Sequence, residues 1–142
     1  MRRVGILTGG GDCPGLNAVI GAVVRKMDKQ NIEVLGILDG WKGMVEGLTR
    51  PLTVEDTSEI LPIGGTIIGT TRTNPYKDPE KNIPRVKETM KKFALDALIA
   101  VGGDDTLGVA HRLYKEENFP VVGVPKTIDN DLSGTDYTFG FD

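Results

Sequence analysis

Cysteine is nearly absent from this chain. Cys13 stands alone, so no internal disulfide can form, and with a single histidine there is no Cys/His set at zinc spacing. Aromatic residues are sparse at 6%, with Trp41 the only tryptophan. Positive charge is in deficit: Lys and Arg number 17 against 20 Asp and Glu, a formal net charge of −3, and no Lys/Arg cluster overrides that average. No dedicated nucleic-acid surface is therefore expected. No apolar run approaches the roughly 20 residues that cross a bilayer, so no membrane partner is expected either. The N-terminus passes from Arg2-Arg3 directly into a short apolar run, without the succession that marks a secretory leader, and a cytoplasmic location is the expectation. Internal repeats, low-complexity tracts and flexible linkers are missing as well.

What the chain does have is glycine, 19 residues in 142, much of it in short loops at the ends of apolar runs. Hydrophobic content of 39% and charged content of 26% are ordinary for a globular chain, and the length suffices for one core: one compact domain, or part of a larger one. Residues 4–8 read as a strand, 16–29 as a helix with Leu16, Val19, Ile20, Val23, Val24 and Met27 at helical spacing, and 33–38 as a second strand. Residues 4–38 thus make a βαβ unit with a parallel, right-handed crossover. The segment 39–63 is less regular, with a short helix expected over 54–60; 64–69 reads as a tight turn and short strand. A helix over 82–93, a strand over 97–101, a helix over 107–117 and a strand over 120–124 complete an α/β, doubly wound, mostly parallel sheet with helices on both faces. The last residues, Tyr137-Thr138-Phe139-Gly140-Phe141-Asp142, show no closing helix, which suggests a portion of a longer polypeptide.

Three clusters carry chemistry. Gly9-Gly10-Gly11-Asp12-Cys13-Pro14-Gly15 matches neither the dinucleotide fingerprint nor the P-loop, yet a triple glycine between strand and helix cradles phosphate by its backbone N–H groups. The plain alternative is a tight βα turn. Gly102-Gly103-Asp104-Asp105-Thr106 also sits between strand and helix. Two adjacent carboxylates repel a bare phosphate but suit one carried with a divalent cation; the alternative makes them helix N-cap and first-turn acids. Pro125-Lys126-Thr127-Ile128-Asp129-Asn130-Asp131 leaves the carboxyl end of a strand, the edge where open α/β sheets bind ligands. Phosphoryl transfer to an alcohol needs a base, charge neutralisation and a metal: Asp129 can be the base, while Lys126 and Thr127 can hold phosphate oxygens. A polar turn explains Asn130-Asp131 but not the whole set. Arg72 is a candidate guanidinium clamp, although a lone arginine is usually a solvated surface residue. His111 and Cys13 read as structural, and Trp41 as a packing residue.

In this order and spacing the clusters resemble the phosphofructokinase family, over essentially the whole chain. The resemblance rests on Gly9 to Ala18, on Gly64-Gly65-Thr66 leading to Arg72, on Gly102 to Thr106, and on Thr127-Ile128-Asp129-Asn130-Asp131 with Gly134-Thr135-Asp136-Tyr137. It implies that Asp129 takes the proton from the 1-hydroxyl of fructose 6-phosphate, with Arg72 and Lys126 as its catalytic companions. It further implies Gly10, Gly11, Gly103, Asp105 and Thr106 as phosphoryl-donor contacts, Thr127, Ile128 and Asp131 as substrate contacts, and Asp104 as the Mg²⁺ ligand. The product would be fructose 1,6-bisphosphate, in glycolysis.

Two positions bear on the donor. ATP users in this family usually carry glycine where this chain has Asp105, and many carry glycine where it has Lys126. A carboxylate at Asp105 adds bulk and negative charge where ATP would place a third phosphate, and Lys126 can neutralise the end of diphosphate. The pair resembles the diphosphate-dependent branch; ATP as donor is the alternative, and a non-catalytic phosphate-binding fragment is a second one. NAD and lipid kinases share the Gly-Gly-Asp element but not the 126–131 cluster. Two expected regulatory arginine positions hold Gly21 and Val54, although Arg25 remains, so weak or absent nucleotide regulation is expected. Family members run to more than twice this length; the missing half would supply the sugar-phosphate pocket, partly from a neighbouring subunit of a homo-oligomer.

Overall fold

The apolar runs become the strands of a single sheet in the computed structural model, which describes residues 2–11 and 13–138. In chain order the strands are β1 (Arg2–Thr8), β2 (Ile32–Ile37), β3 (Thr49–Leu52), β4 (Ala97–Gly102) and β5 (Val121–Pro125). Between them, among the described residues, lie the helices α1 (Leu16–Asp28), α2 (Trp41–Glu46), α3 (Pro79–Lys92) and α4 (Asp104–Glu117), with a 3-10 turn over Pro75–Lys77. The spatial order is β3-β2-β1-β4-β5. β1 runs parallel to both β2 and β4, Val4 standing opposite Val34 and Ala97; β5 is parallel to β4, and β3 is antiparallel on the β2 edge. The chain starts at β1, winds outward to β3 and returns to β4, which places the switch point of a doubly wound α/β fold between β1 and β4.

Both faces of the sheet are covered, which is why its parallel strands read as continuous apolar runs. α1 lays Leu16, Ile20 and Val24 on Val4, Ile6, Val34 and Val101. On the other face Leu7, Leu35, Ile37, Leu98 and Ala100 pack beneath Met44 of α2, Val86 and Met90 of α3, and Val109 and Leu113 of α4. Each fully buried aliphatic side chain contributes roughly 1.5–3 kcal/mol, so the two layers fix the strand ends that carry the loops described below.

Five local departures from the sequence expectation appear in the structure. α2 and β3 arise inside the segment read as irregular: α2 has six residues between Gly40 and Gly47, too few for a periodicity, and β3 has four, including a proline tolerated on a sheet edge. Residues 54–60 form turns and not a helix. Thr53 and Asp56 do make reciprocal capping bonds, Thr53 N to Asp56 Oδ2 at 3.0 Å and Asp56 N to Thr53 Oγ1 at 3.1 Å. The hydroxyls of Thr57 and Ser58 then donate to the carbonyls of Thr53 and Glu55, competing with helical bonds, and Pro62 follows. The strand expected within 64–69 is a turn segment joined to no ladder. Helix α3 begins at Pro79 and not at residue 82, with proline in the first turn where its missing N–H costs nothing. Helix α4 begins at Asp104 and not at 107, so the two aspartates occupy its first turn. The expectation about the chain end falls, for residues 139–142, outside the described residues, as does Asp12.

Candidate functional site

Parallel neighbours bring their carboxyl ends to one edge, so the loops leaving β1, β4 and β5 meet there. Each is tied to the next at its first residue: Gly9 N donates to Val101 O at 2.8 Å, and Lys126 N to Gly102 O at 2.9 Å. Between them opens a cleft of about 380 Å³. Gly10 and Gly11 line it from the first loop, Gly103, Asp104, Asp105 and Thr106 from the second, and Lys126, Thr127, Ile128, Asp129 and Asp131 from the third. All three sequence clusters thus share one cavity.

The second loop is the amino end of α4. Its first helical bond is Leu107 N to Gly103 O at 2.9 Å, so the amides of Asp104, Asp105 and Thr106 have no acceptor within the helix. Gly103 is the N-cap and offers no side-chain cap, leaving these N–H groups to an anion. Asp104 and Asp105 are exposed first-turn acids, the position that the plain alternative assigns to them, and they also face the cleft.

Thr106 has a different placement from its neighbours. It is 5% exposed. A Cβ on Gly9 would stand 2.1 Å from its Oγ1, and a Cβ on Gly102 would stand 2.5 Å from its Cβ. Its side chain therefore fills the space that two glycines leave, and sets the separation of the first two loops.

In the third loop, Thr127 Oγ1 donates to Asp131 Oδ1 at 2.5 Å, and Asp131 N returns a bond to Thr127 Oγ1 at 3.4 Å. Asn130 takes the left-handed conformation at φ 53° that closes this small ring. Asp129 is exposed on its rim, with no hydrogen-bond or ion-pair partner among the described residues. Lys126 Nζ crosses the cleft to the carbonyl oxygen of Gly11, linking the β5 loop to the β1 loop.

Arg72 stands apart from this group. It lines an adjoining pocket of about 720 Å³, which shares Gly10, Gly11, Asp105 and Thr106 with the first cleft and is walled by Trp41 and Lys77. Trp41, 3% exposed, belongs to the core and also edges this pocket. His111 is exposed on α4 beside Tyr114 and Val121, away from the cleft, and Cys13 is buried against α1. Sequence reasoning missed Lys77 and the hydroxyls of Thr70, Thr71 and Thr73, which line the Arg72 pocket; the run Thr70-Thr71-Arg72-Thr73-Asn74, polar and free of apolar residues, is the only signal that marks them.

No group of three His, Cys, Asp or Glu side chains that could cage a metal ion occurs among the described residues. The carboxylates in the cleft come in two pairs, Asp104 with Asp105 on one loop and Asp129 with Asp131 on another. That set fits Mg²⁺, which keeps several waters and takes one or two carboxylates together with phosphate oxygens. It does not fit an all-protein cage.

Residues 3–142 match the Phosphofructokinase family model. A pyrophosphate–fructose 6-phosphate 1-phosphotransferase of Amycolatopsis methanolica is 57% identical over 141 residues, covering 99% of this chain and 41% of that protein. An ATP-dependent 6-phosphofructokinase of Bacillus cereus is 46% identical over 142 residues, covering 100% of this chain and 44% of that protein. The solved structure of Pichia pastoris phosphofructokinase in the T-state superposes with a TM-score of 0.90 at 33% identity, over 98% of this chain and 16% of that one. The chain spans about two-fifths of the length of the curated relatives it matches. It belongs to the phosphofructokinase family.

Proposed function

We propose that this chain is the phosphoryl-donor portion of a diphosphate-dependent fructose 6-phosphate 1-phosphotransferase, with the sugar-phosphate portion lying in sequence it does not span. The observation that carries this reading is the meeting of Asp105, Lys126 and the open amino end of α4 in one cleft with Asp129. The amides of Gly10, Gly11 and Gly103 and the first turn of α4 hold the donor phosphates, and Arg72 reaches them from the adjoining pocket. Asp104 holds Mg²⁺, which when bound neutralises phosphate charge. Asp129, unpartnered at the rim, takes the proton from the sugar 1-hydroxyl. Lys126 neutralises the transferred group, and Thr127, Ile128 and Asp131 shape the acceptor side.

Donor choice follows from charge. Asp105 stands between the cleft and the pocket of Arg72, so a donor reaching from one into the other brings a further phosphate against a carboxylate. Repulsion of that kind amounts to about 3 kcal/mol for unit charges 5 Å apart at an effective dielectric constant near 20. ATP is the second reading. It draws on the size of the adjoining pocket, which has room and an indole wall for a nucleoside.

Calorimetric titration of the chain with diphosphate and with ATP, each with Mg²⁺, separates them. Tighter diphosphate binding is expected. Tighter ATP binding overturns the donor assignment, and heat from neither overturns the claim that this portion holds the donor by itself.

A further inference from the structure

The segment 61–74 delivers Arg72 to its pocket, yet among the described residues it contains neither helix nor strand. Apart from one backbone bond to the body of the protein, Asp39 N to Ile68 O at 2.8 Å, its position must therefore come from side chains. Asn17, in the first turn of α1, is 1% exposed and lines neither pocket. Its Nδ2 donates to Ile63 O at 2.9 Å and its Oδ1 accepts from Ile67 N at 2.9 Å. One amide thus spans both ends of the glycine turn Gly64-Gly65, satisfying a donor and an acceptor that lack any ladder.

The next fastening is Thr8, the fully buried last residue of β1. Its hydroxyl donates to Gly69 O at 2.9 Å and lies 2.8 Å from Thr66 Oγ1. A hydroxyl has one proton, so Thr66 must be the donor in the pair. The chain of bonds runs from Thr66 to Thr8 to Gly69. Gly69 is at φ 72°, and a Cβ there would stand 2.5 Å from Asp39 Oδ1, so the segment turns against Asp39 at a point only glycine fits. Thr70 Oγ1 then donates to Gly10 O at 3.0 Å, and Thr71 Oγ1, one residue short of Arg72, to Asp39 O at 2.8 Å.

We infer that Asn17, with Thr8, is a positioning residue for the donor site: it acts through the 63–71 segment to set where Arg72 stands relative to the glycine loop of β1. The link to donor binding rests on the function proposed above; the hold on the segment does not.

Amide hydrogen exchange on the 142-residue chain tests the hold directly. In Asn17→Ala the amides of Ile67, Ile68 and Gly69 are expected to exchange roughly 30-fold faster, the loss of two ordinary hydrogen bonds, while the amides of β1 and β4 keep their protection. Thr8→Val, close in shape and suited to a strand, is expected to do the same to Ile68 and Gly69, and decides the matter if Asn17→Ala does not fold. Unchanged exchange in 63–71, or equal loss of protection throughout β1 and β4, overturns the inference. A second arm measures Mg-diphosphate affinity in Asn17→Ala, Arg72→Ala and the double variant. Asn17→Ala is expected to weaken binding in the parent chain and to have no effect once Arg72 is gone. Losses that multiply overturn the connection to Arg72. If the parent chain does not bind Mg-diphosphate, the donor reading fails, and the exchange arm still upholds or overturns the hold on the segment.

Discussion

Gly9→Ala probes the packing that brings two loops of the cleft together. The added Cβ would stand 2.1 Å from Thr106 Oγ1, 2.9 Å from Thr106 Cγ2 and 3.0 Å from Thr106 Cβ. No contact that short persists, so either β1's end or the first turn of α4 must shift. Overpacking of this kind typically costs 1–3 kcal/mol, which is a fall of roughly 3–10 °C in melting temperature for a chain of this length. Thr106→Ala removes Oγ1 and Cγ2 and leaves only the 3.0 Å contact, so it should restore at least about 1 kcal/mol of the Gly9→Ala loss in a double-mutant cycle. Gly102→Ala is the internal control. There the nearest atom is Thr106 Cβ itself at 2.5 Å, which Thr106→Ala keeps, so that variant should gain little from the second change. Urea unfolding of the three single and two paired variants gives the comparison. A neutral Gly9→Ala, or equal rescue of both glycine variants, would refute the argument that Thr106 fills the space of two missing side chains.

Other changes follow from the same geometry. Asp105→Gly should narrow the preference for Mg-diphosphate over Mg-ATP, read by calorimetry, by something on the order of 10- to 100-fold from the repulsion worked above; an unmoved ratio sinks the donor filter. Lys126→Met removes the charged donor to Gly11 O and should weaken diphosphate binding by about 10-fold or more, since charge-assisted bonds contribute 1.5–3 kcal/mol. Its thermal stability should change far less, because the lysine lies on the cleft surface. Ile20→Ala, at a site with no solvent exposure under the sheet, should cost about 2–5 kcal/mol in chemical denaturation. Pro84→Ala should raise stability by about 1–3 kcal/mol, because Pro84 stands inside α3 on its exposed side and denies Glu80 O its helical donor; a loss of stability would show that the ring packs in a way the helix needs.

The parts of the site that lie next in sequence to an apolar strand were legible. Gly9 to Gly11, Gly102 to Thr106 and Lys126 to Asp131 follow β1, β4 and β5 directly, and once the strands are parallel, with β1, β4 and β5 adjacent, their loops have nowhere to meet except one edge. What was not legible depends on bonds between residues far apart in the chain. Asn17 reads from sequence as an ordinary residue in a helix's first turn, and its partners Ile63 and Ile67 lie 46 and 50 positions away. A periodicity cannot register that, because side-chain-to-backbone bonds leave no repeat. The same gap explains the short elements: α2 and β3 owe their form to neighbours, α2 to its contact with α3 and β3 to its edge on β2, and not to their own six and four residues. The aspartates of α4 show the remaining limit. Sequence offered a loop or a helix start as alternatives, and the fold makes them both at once, because the loop that faces the cleft is itself the first helical turn. A carboxylate there is favoured by the helix dipole in the free protein and, for the same reason of place, stands where an anion would bind. Stability and the proposed donor recognition therefore pull on the same two residues, so that Asp105→Gly should cost a few tenths of a kcal/mol in folding while, on that proposal, it admits the larger donor.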